Sequence, residues 1–205
     1  MKTLIISAFP GCGKTYLFKN QEELLFRVYE ERRHFSFLDS DSSKFEKQDG
    51  WEKEYVDSIQ RVVGTVDFIF ISQQQGVLKE LKTRGIPFIV VAPDNAEWTN
   101  EKERALIKQQ WFGRFLLRDN SHIRNFDSWL KKLITHYDEW TTVEQLTQFD
   151  PVSFFLLKEN QYLSDIMEDL YWKKETVPEY NAGKEVDAQP KGKGRNGDLK
   201  RINFW

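Results

Sequence analysis

The chain has a single cysteine, Cys12, among 205 residues. One thiol excludes an internal disulfide and fits a reducing cytoplasm. The chain also lacks a dominant charge: 30 Lys and Arg against 32 Asp and Glu leave a net −2. That balance gives no global pull toward nucleic acid or anionic membranes. No apolar stretch is long enough to cross a bilayer. The start, Met1-Lys2 followed by apolar residues, faintly imitates a signal peptide, but the run breaks at Pro10-Gly11 and Lys14 follows. No internal repeat is evident. Aromatics are plentiful instead, with seven Trp and sixteen Phe. They carry core area, and some can stack on bases. The length fits one domain with a helical addition and allows a substantial core.

The most informative segment is Ala8 to Thr15, Ala-Phe-Pro-Gly-Cys-Gly-Lys-Thr, after the apolar run Leu4-Ile5-Ile6 and before a stretch that can be helical. It fits the phosphate-binding pattern G-x-x-x-x-G-K-[ST], with Ala8 in place of the first glycine, a substitution expected to leave the turn less free. Such a loop turns backbone N–H groups toward phosphates, and the positive end of the next helix adds attraction. Lys14 would reach the β- and γ-phosphates of ATP, and the Thr15 hydroxyl would ligate Mg²⁺. Pro10, Gly11, Cys12, Gly13, Lys14, Thr15 and Tyr16 are the candidate nucleotide-binding residues. The plainer alternative is a tight turn at Pro10-Gly11 and Gly13. Cys12 reads as a small filler, with a reactive thiol at a helix start as the other reading.

Alternation of strand and helix signals predicts an α/β fold, a three-layer P-loop sandwich with a mostly parallel sheet of four to five strands. Strands are expected at Thr3–Ser7, His34–Leu38, Val66–Ile71 and Ile86–Ala92. Helices are expected from Gly13 toward Arg32, and at Trp51–Val63, Gly76–Arg84, Glu101–Leu117 and Phe126–Tyr137, with a last one from Asp150-Pro151 to about Lys174. The expected organisation is a core at 1–125 with a lid near 99–120, a helical extension at 126–175 and a flexible basic tail at 176–205. Ligands bind at the carboxyl ends of parallel strands. The segments to watch there are the loop after the first strand, Asp39 to Ser43, Ser72 to Gln75, and Pro93-Asp94-Asn95.

Asp39-Ser40-Asp41 follows the second strand. One carboxylate there can hold Mg²⁺ through water, and the other can accept a proton from a substrate hydroxyl or orient it. Asp39 is expected on the metal side and Asp41 on the substrate side; the alternative is a loop whose side chains cap their own backbone. Arg114 and Arg118 lie one turn apart in a segment that also carries Lys102, Arg104 and Lys108. They can be lid arginines over the transferring phosphate, or part of a solvated basic face beside Glu101, Glu103 and Asp119.

Gly-Cys-Gly-Lys-Thr paired with a strand-ending Asp-x-Asp resembles shikimate and gluconate kinases within the nucleoside monophosphate kinase-like group, over about residues 1–120. The pattern is also similar to small P-loop kinases of bacterial viruses, including hydroxymethyluracil DNA kinases. The resemblance implies Lys14 and Thr15 as the phosphate and Mg²⁺ residues and Asp41 as the base-like residue. Gln73-Gln74-Gln75-Gly76 stands where shikimate kinases have a glycine cluster, and their substrate-binding arginine is missing, which argues against shikimate. The third strand ends in Ser72 without a Walker B acid, and Asp67 lies at its wrong end, which counts against a mechanical ATPase.

Three functions follow as expectations. The first is a small kinase for a nucleoside or nucleotide, with Trp51, Tyr55, Trp98 and Trp111 as stacking or packing groups. The second is a kinase acting on DNA, with Lys184, Lys191, Lys193, Arg195, Lys200 and Arg201 followed by Phe204-Trp205 as a DNA-binding or merely solubilising tail. The third is an ATP-binding regulatory module. No membrane partner and a cytoplasmic location, that of the host for a viral protein, are expected.

Overall fold

The computed structural model describes residues 1–40, 42–117 and 125–180. Asp41, Arg118 and the tail cations from Lys184 to Arg201 lie outside the described residues, as does Phe204-Trp205.

Five parallel strands form one sheet in the order β4-β5-β1-β6-β7. The central strand β1 (Leu4–Ala8) is buried at all five positions. It pairs with β5 (Phe68–Ile71) on one side and β6 (Ile89–Pro93) on the other. Strand β4 (Phe37–Asp39) forms one edge and β7 (Ser153–Leu157) the other. Continuous apolar runs such as Phe68-Ile69-Phe70-Ile71 fit a sheet covered on both faces.

The chain leaves β1 toward β4 and later returns across β1 toward β6. Right-handed crossovers therefore put the connecting helices on opposite faces. On one face, α1 (Lys14–Lys19) packs on β4, and the last helix α8 (Met167–Thr176) packs on β2 (Phe26–Val28). On the other, α2 (Trp51–Gln60) packs on α3 (Gln75–Thr83), with Trp51, Tyr55, Val56 and Ile59 turned inward. Helix α4 (Glu101–Leu117) follows β6 and buries Ile107, Trp111 and Phe115. Two further helices, α5 (Phe126–Thr135) and α6 (Tyr137–Thr141), and the short α7 (Val143–Thr147) lead to β7. The result is the α/β three-layer sandwich expected from the strand–helix alternation. No helix among the described residues is long and apolar enough to cross a membrane.

Three expectations change. The helix expected from Gly13 to Arg32 stops at Lys19, because Asn20 folds its side chain back onto the Tyr16 carbonyl at 2.7 Å. An antiparallel hairpin follows, β2 with β3 (Glu31–Arg33), turned at Tyr29 with φ 57°. The helix expected from Asp150 to Lys174 is split into β7, a 3-10 turn at Leu163–Ile166 and α8. Ser153-Phe154-Phe155-Leu156-Leu157 is a short apolar run, which periodicity cannot tell from a buried helix turn. Thr176 to Tyr180, expected in the tail, instead belong to the folded part: Thr176 ends α8, Val177 is buried and Tyr180 Oη accepts a hydrogen bond from Gln60.

Asp67, just before β5, confirms its place at the amino end of the sheet. It accepts from Lys174 Nζ at 2.6 Å and from the Ser36 N–H and hydroxyl. Burial pushes this carboxyl up, but the Lys174 and Ser36 bonds outweigh it and hold the group below its ordinary range.

A candidate phosphate-transfer site at the carboxyl rim

Because all five strands run parallel, the loops that follow them meet on one rim, and the strand order reverses at β1. The Ala8–Thr15 loop leaves β1 at that reversal. Ala8 is still strand, paired with Val91. It has no positive φ, so the first position of the motif does not use the freedom a glycine would give. The bend falls at Gly11 and Gly13, with φ 85° and 98°. A Cβ at Gly11 would lie 3.0 Å from Trp111 Nε1.

Inside the loop, Lys14 Nζ donates to the carbonyls of Ala8 at 2.6 Å and Phe9 at 3.2 Å. Leu17 is the first residue of α1 whose N–H is taken up by the helix, on the Gly13 carbonyl at 3.1 Å. The N–H groups of Lys14, Thr15 and Tyr16 therefore point along the axis toward the loop. With α1 only six residues long, these individual donors matter more than a summed helix dipole. The Tyr16 ring itself is 56 % exposed.

The Thr15 hydroxyl donates to Asp39 Oδ2 at 2.7 Å. Two residues assigned to the same metal from separate motifs thus meet side by side. Two oxygen donors of this kind fit Mg²⁺, which takes one or two protein oxygens and completes its shell with phosphate and water. Among the described residues there is no cluster of three His, Cys, Asp or Glu that would hold a metal by protein ligands alone.

Hydrogen bonds tie the rim together. Tyr55 Oη donates to the Ser40 carbonyl at 2.7 Å and accepts from the Ser72 N–H at 3.0 Å. Gln74 donates to the Ser42 hydroxyl at 3.1 Å. The Phe9 N–H bonds the Val91 carbonyl, Asp94 N–H the Leu157 carbonyl, and Leu163 N–H the Cys12 carbonyl, each at 2.9 Å. Asp94 and Asn95 turn inward: Asp94 takes the Thr99 hydroxyl at 2.7 Å, and Asn95 donates to Thr141 at 2.9 Å.

Cys12 is fully buried, and desolvation pushes its thiol up to about 12 despite the nearby Lys14 and Arg114 charges. Burial therefore favours the filler reading and the protonated thiol over a reactive thiolate.

Arg114 lies between two rings, 4.1 Å from the Trp111 centroid and 4.0 Å from that of Tyr162. Burial makes its guanidinium easier to deprotonate than usual, though it stays cationic. Its Nε and Nη1 are buried without a hydrogen-bond partner. Two of these contacts were not legible in the sequence. Trp111 donates its indole N–H to the Pro10 carbonyl at 2.7 Å, and a Cβ at Gly13 would lie 3.6 Å from the Tyr162 ring. Both join residues about a hundred or more positions apart. Lys108 is taken up by Asp138 at 2.9 Å.

Of the aromatics considered for base stacking, Trp51, Tyr55 and Trp111 are core residues, whereas Trp98 is 69 % exposed. No protein-family model, curated protein or solved structure matches the chain.

Proposed function

We propose that the protein is an ATP-dependent phosphotransferase of the P-loop kinase type, moving the γ-phosphate to a hydroxyl or phosphate of a nucleoside- or nucleotide-type acceptor. The observation that carries this reading is the 2.7 Å bond from Thr15 Oγ1 to Asp39 Oδ2. It joins the loop that would hold the donor phosphates to the strand end that would face the acceptor. A generic turn gives no reason for a carboxylate at that place.

The backbone of residues 11–16 cradles the β- and γ-phosphates. Lys14, already within the loop on the Ala8 and Phe9 carbonyls, adds its charge to them. Thr15 and Asp39 hold Mg²⁺, which when bound neutralises phosphate charge. Arg114 brings a cation with two unpartnered buried donors to the flank of the loop, which supports a part in steadying charge on the transferring group. Asp41, which lies outside the described residues, is the residue expected to orient the acceptor hydroxyl.

Labelled transfer tests this. The protein is incubated with γ-labelled ATP and nucleosides, nucleoside monophosphates, and DNA with and without hydroxymethylated bases. Label is expected on one acceptor class, with loss of transfer but retained ATP binding in Asp41→Ala. ATP binding with no labelled acceptor would favour the regulatory module instead.

A further inference from the structure

Transfer to a hydroxyl releases a proton, and a group beside the acceptor must receive it. His136 stands between α5 and α6 with its side chain 44 % exposed. Its Nδ1 lies 2.9 Å from Glu139 Oε2, while Glu139 Oε1 accepts from Gln75 Nε2 at 2.8 Å. A carboxylate only accepts, so Nδ1 carries the hydrogen and Nε2 of the neutral ring keeps its lone pair. The hydrogen bonds from His136 and Gln75 hold the Glu139 carboxyl below its ordinary range, so it stays ionised. Trp140 stacks on the imidazole, centroids 5.3 Å apart and planes within 18°.

The position of α6 gives this pair its meaning. Gln73 and Gln75 follow β5, and they bond the Trp140 carbonyl and Glu139 respectively. Asn95 follows β6 and bonds Asp138 and Thr141. Strand β1 lies between β5 and β6, and the Tyr137 ring meets Phe9 of the Ala8–Thr15 loop at 5.8 Å. Helix α6 is therefore mounted on the same rim as the loop, and Glu139 ties the imidazole to the Gln75 end of α3 on that rim. Gln73, only 8 % exposed, spends its Nε2 on the Trp140 carbonyl and leaves Oε1 buried with no hydrogen-bond partner. A buried amide oxygen in that state calls for a donor from a ligand or water. The other charged groups on the neighbouring elements are Asp138 of α6, paired with Lys108 of α4, and Lys132 in the last turn of α5; Gln75 of α3 is neutral.

We propose that His136 is the catalytic base on the acceptor side, with Glu139 and Gln75 as its positioning residues; the inference rests on the phosphotransferase reading. The acceptor oxygen bonds to the γ-phosphorus as its proton passes to His136 Nε2. The bond from the γ-phosphorus to the bridging oxygen breaks, its electron pair leaves with ADP, and the imidazolium returns its proton to water.

The full chain is assayed with γ-labelled ATP across the neutral pH range. The probes are thymidine, deoxycytidine monophosphate, hydroxymethyluracil-containing DNA, and water as the hydrolytic acceptor. His136→Gln is expected to lower kcat by about 100-fold or more, with KM unchanged and the acid limb of the pH profile gone. Glu139→Gln should lower kcat less and move the acid limb to lower pH, because the imidazolium loses a neighbouring carboxylate. His34→Gln, exposed near the amino ends of the strands beside Ser36 and Asp67, should change neither. Transfer by His136→Gln at the unmodified rate with the same acid limb would overturn the assignment and leave the phosphotransferase reading standing. No transfer by the unmodified protein to any probe would overturn both.

Discussion

Cys12 shows how one side chain can be decided by its surroundings. It sits in the bend of the loop, fully buried, with its sulfur 3.8 Å from the Val91 carbonyl. Its thiol, pushed up to about 12, stays protonated throughout the range in which the protein is handled. A disulfide reagent such as DTNB should leave the native protein unmodified at pH 8, with or without ATP, and label it only after denaturation. Rapid native labelling would mean that the loop opens. Thr15 and Asp39 are the opposite case, two side chains whose pairing at 2.7 Å has no evident packing purpose. Asp39→Asn should leave the melting temperature within a few degrees of the unmodified protein's while transfer falls by about 100-fold or more, the scale of losing one well-placed charge at a transition state. A transfer rate unchanged in Asp39→Asn would remove the metal role of this pair.

Among the elements, β1, α2, α3 and β6 were legible because apolar runs or helical spacing end at clear punctuation, such as Pro10-Gly11 and Gly85. The hairpin β2–β3 was not: Leu24, Leu25 and Val28 mimic helical spacing, and only the Asn20 side chain turns the chain away. Nor was β7, whose five residues suit either state until β6 supplies a pairing edge. The same limit held for the site. The loop and the Asp39 segment are local motifs and could be read, whereas Trp111 on Pro10, Tyr162 on Gly13 and Gln75 on Glu139 depend on tertiary placement. The Trp111 bond fixes the loop from outside. Trp111→Phe removes its 2.7 Å bond to the Pro10 carbonyl and should cost about 1 kcal/mol of stability and weaken ATP binding several-fold. Gly11→Ala should do more, since its φ of 85° costs an alanine about 1–2 kcal/mol and the new methyl meets Trp111 at 3.0 Å. Equal ATP affinity in both variants and the unmodified protein would show that the bend is not what holds the phosphates.

For the whole molecule, the parallel sheet separates two ends with different work. The amino end is anchored by Asp67 and Lys174, 2.6 Å apart with side chains 17 % and 8 % exposed. Lys174→Ala strands a carboxylate there and should cost about 3 kcal/mol near neutral pH, seen as a melting temperature lower by about 10 °C. Asp67 titrates below its unfolded value of 3.8. Its contribution is present above that value and is lost as pH falls through the lower folded one. The deficit of Lys174→Ala should therefore shrink on acidification below about pH 4; a constant deficit would assign it to lost packing alone. The carboxyl end gathers the loop, Asp39 and Arg114 around the point where the strand order reverses. The central claim is that this end holds a nucleoside triphosphate through the Ala8–Thr15 loop. Calorimetric titration of the full chain with ATP and Mg²⁺ tests it directly, beside Lys14→Ala with its circular dichroism spectrum as a check on folding. The account predicts one saturable site in the unmodified protein and none in a folded Lys14→Ala. No binding by the unmodified protein, or equal binding by the variant, would contradict it.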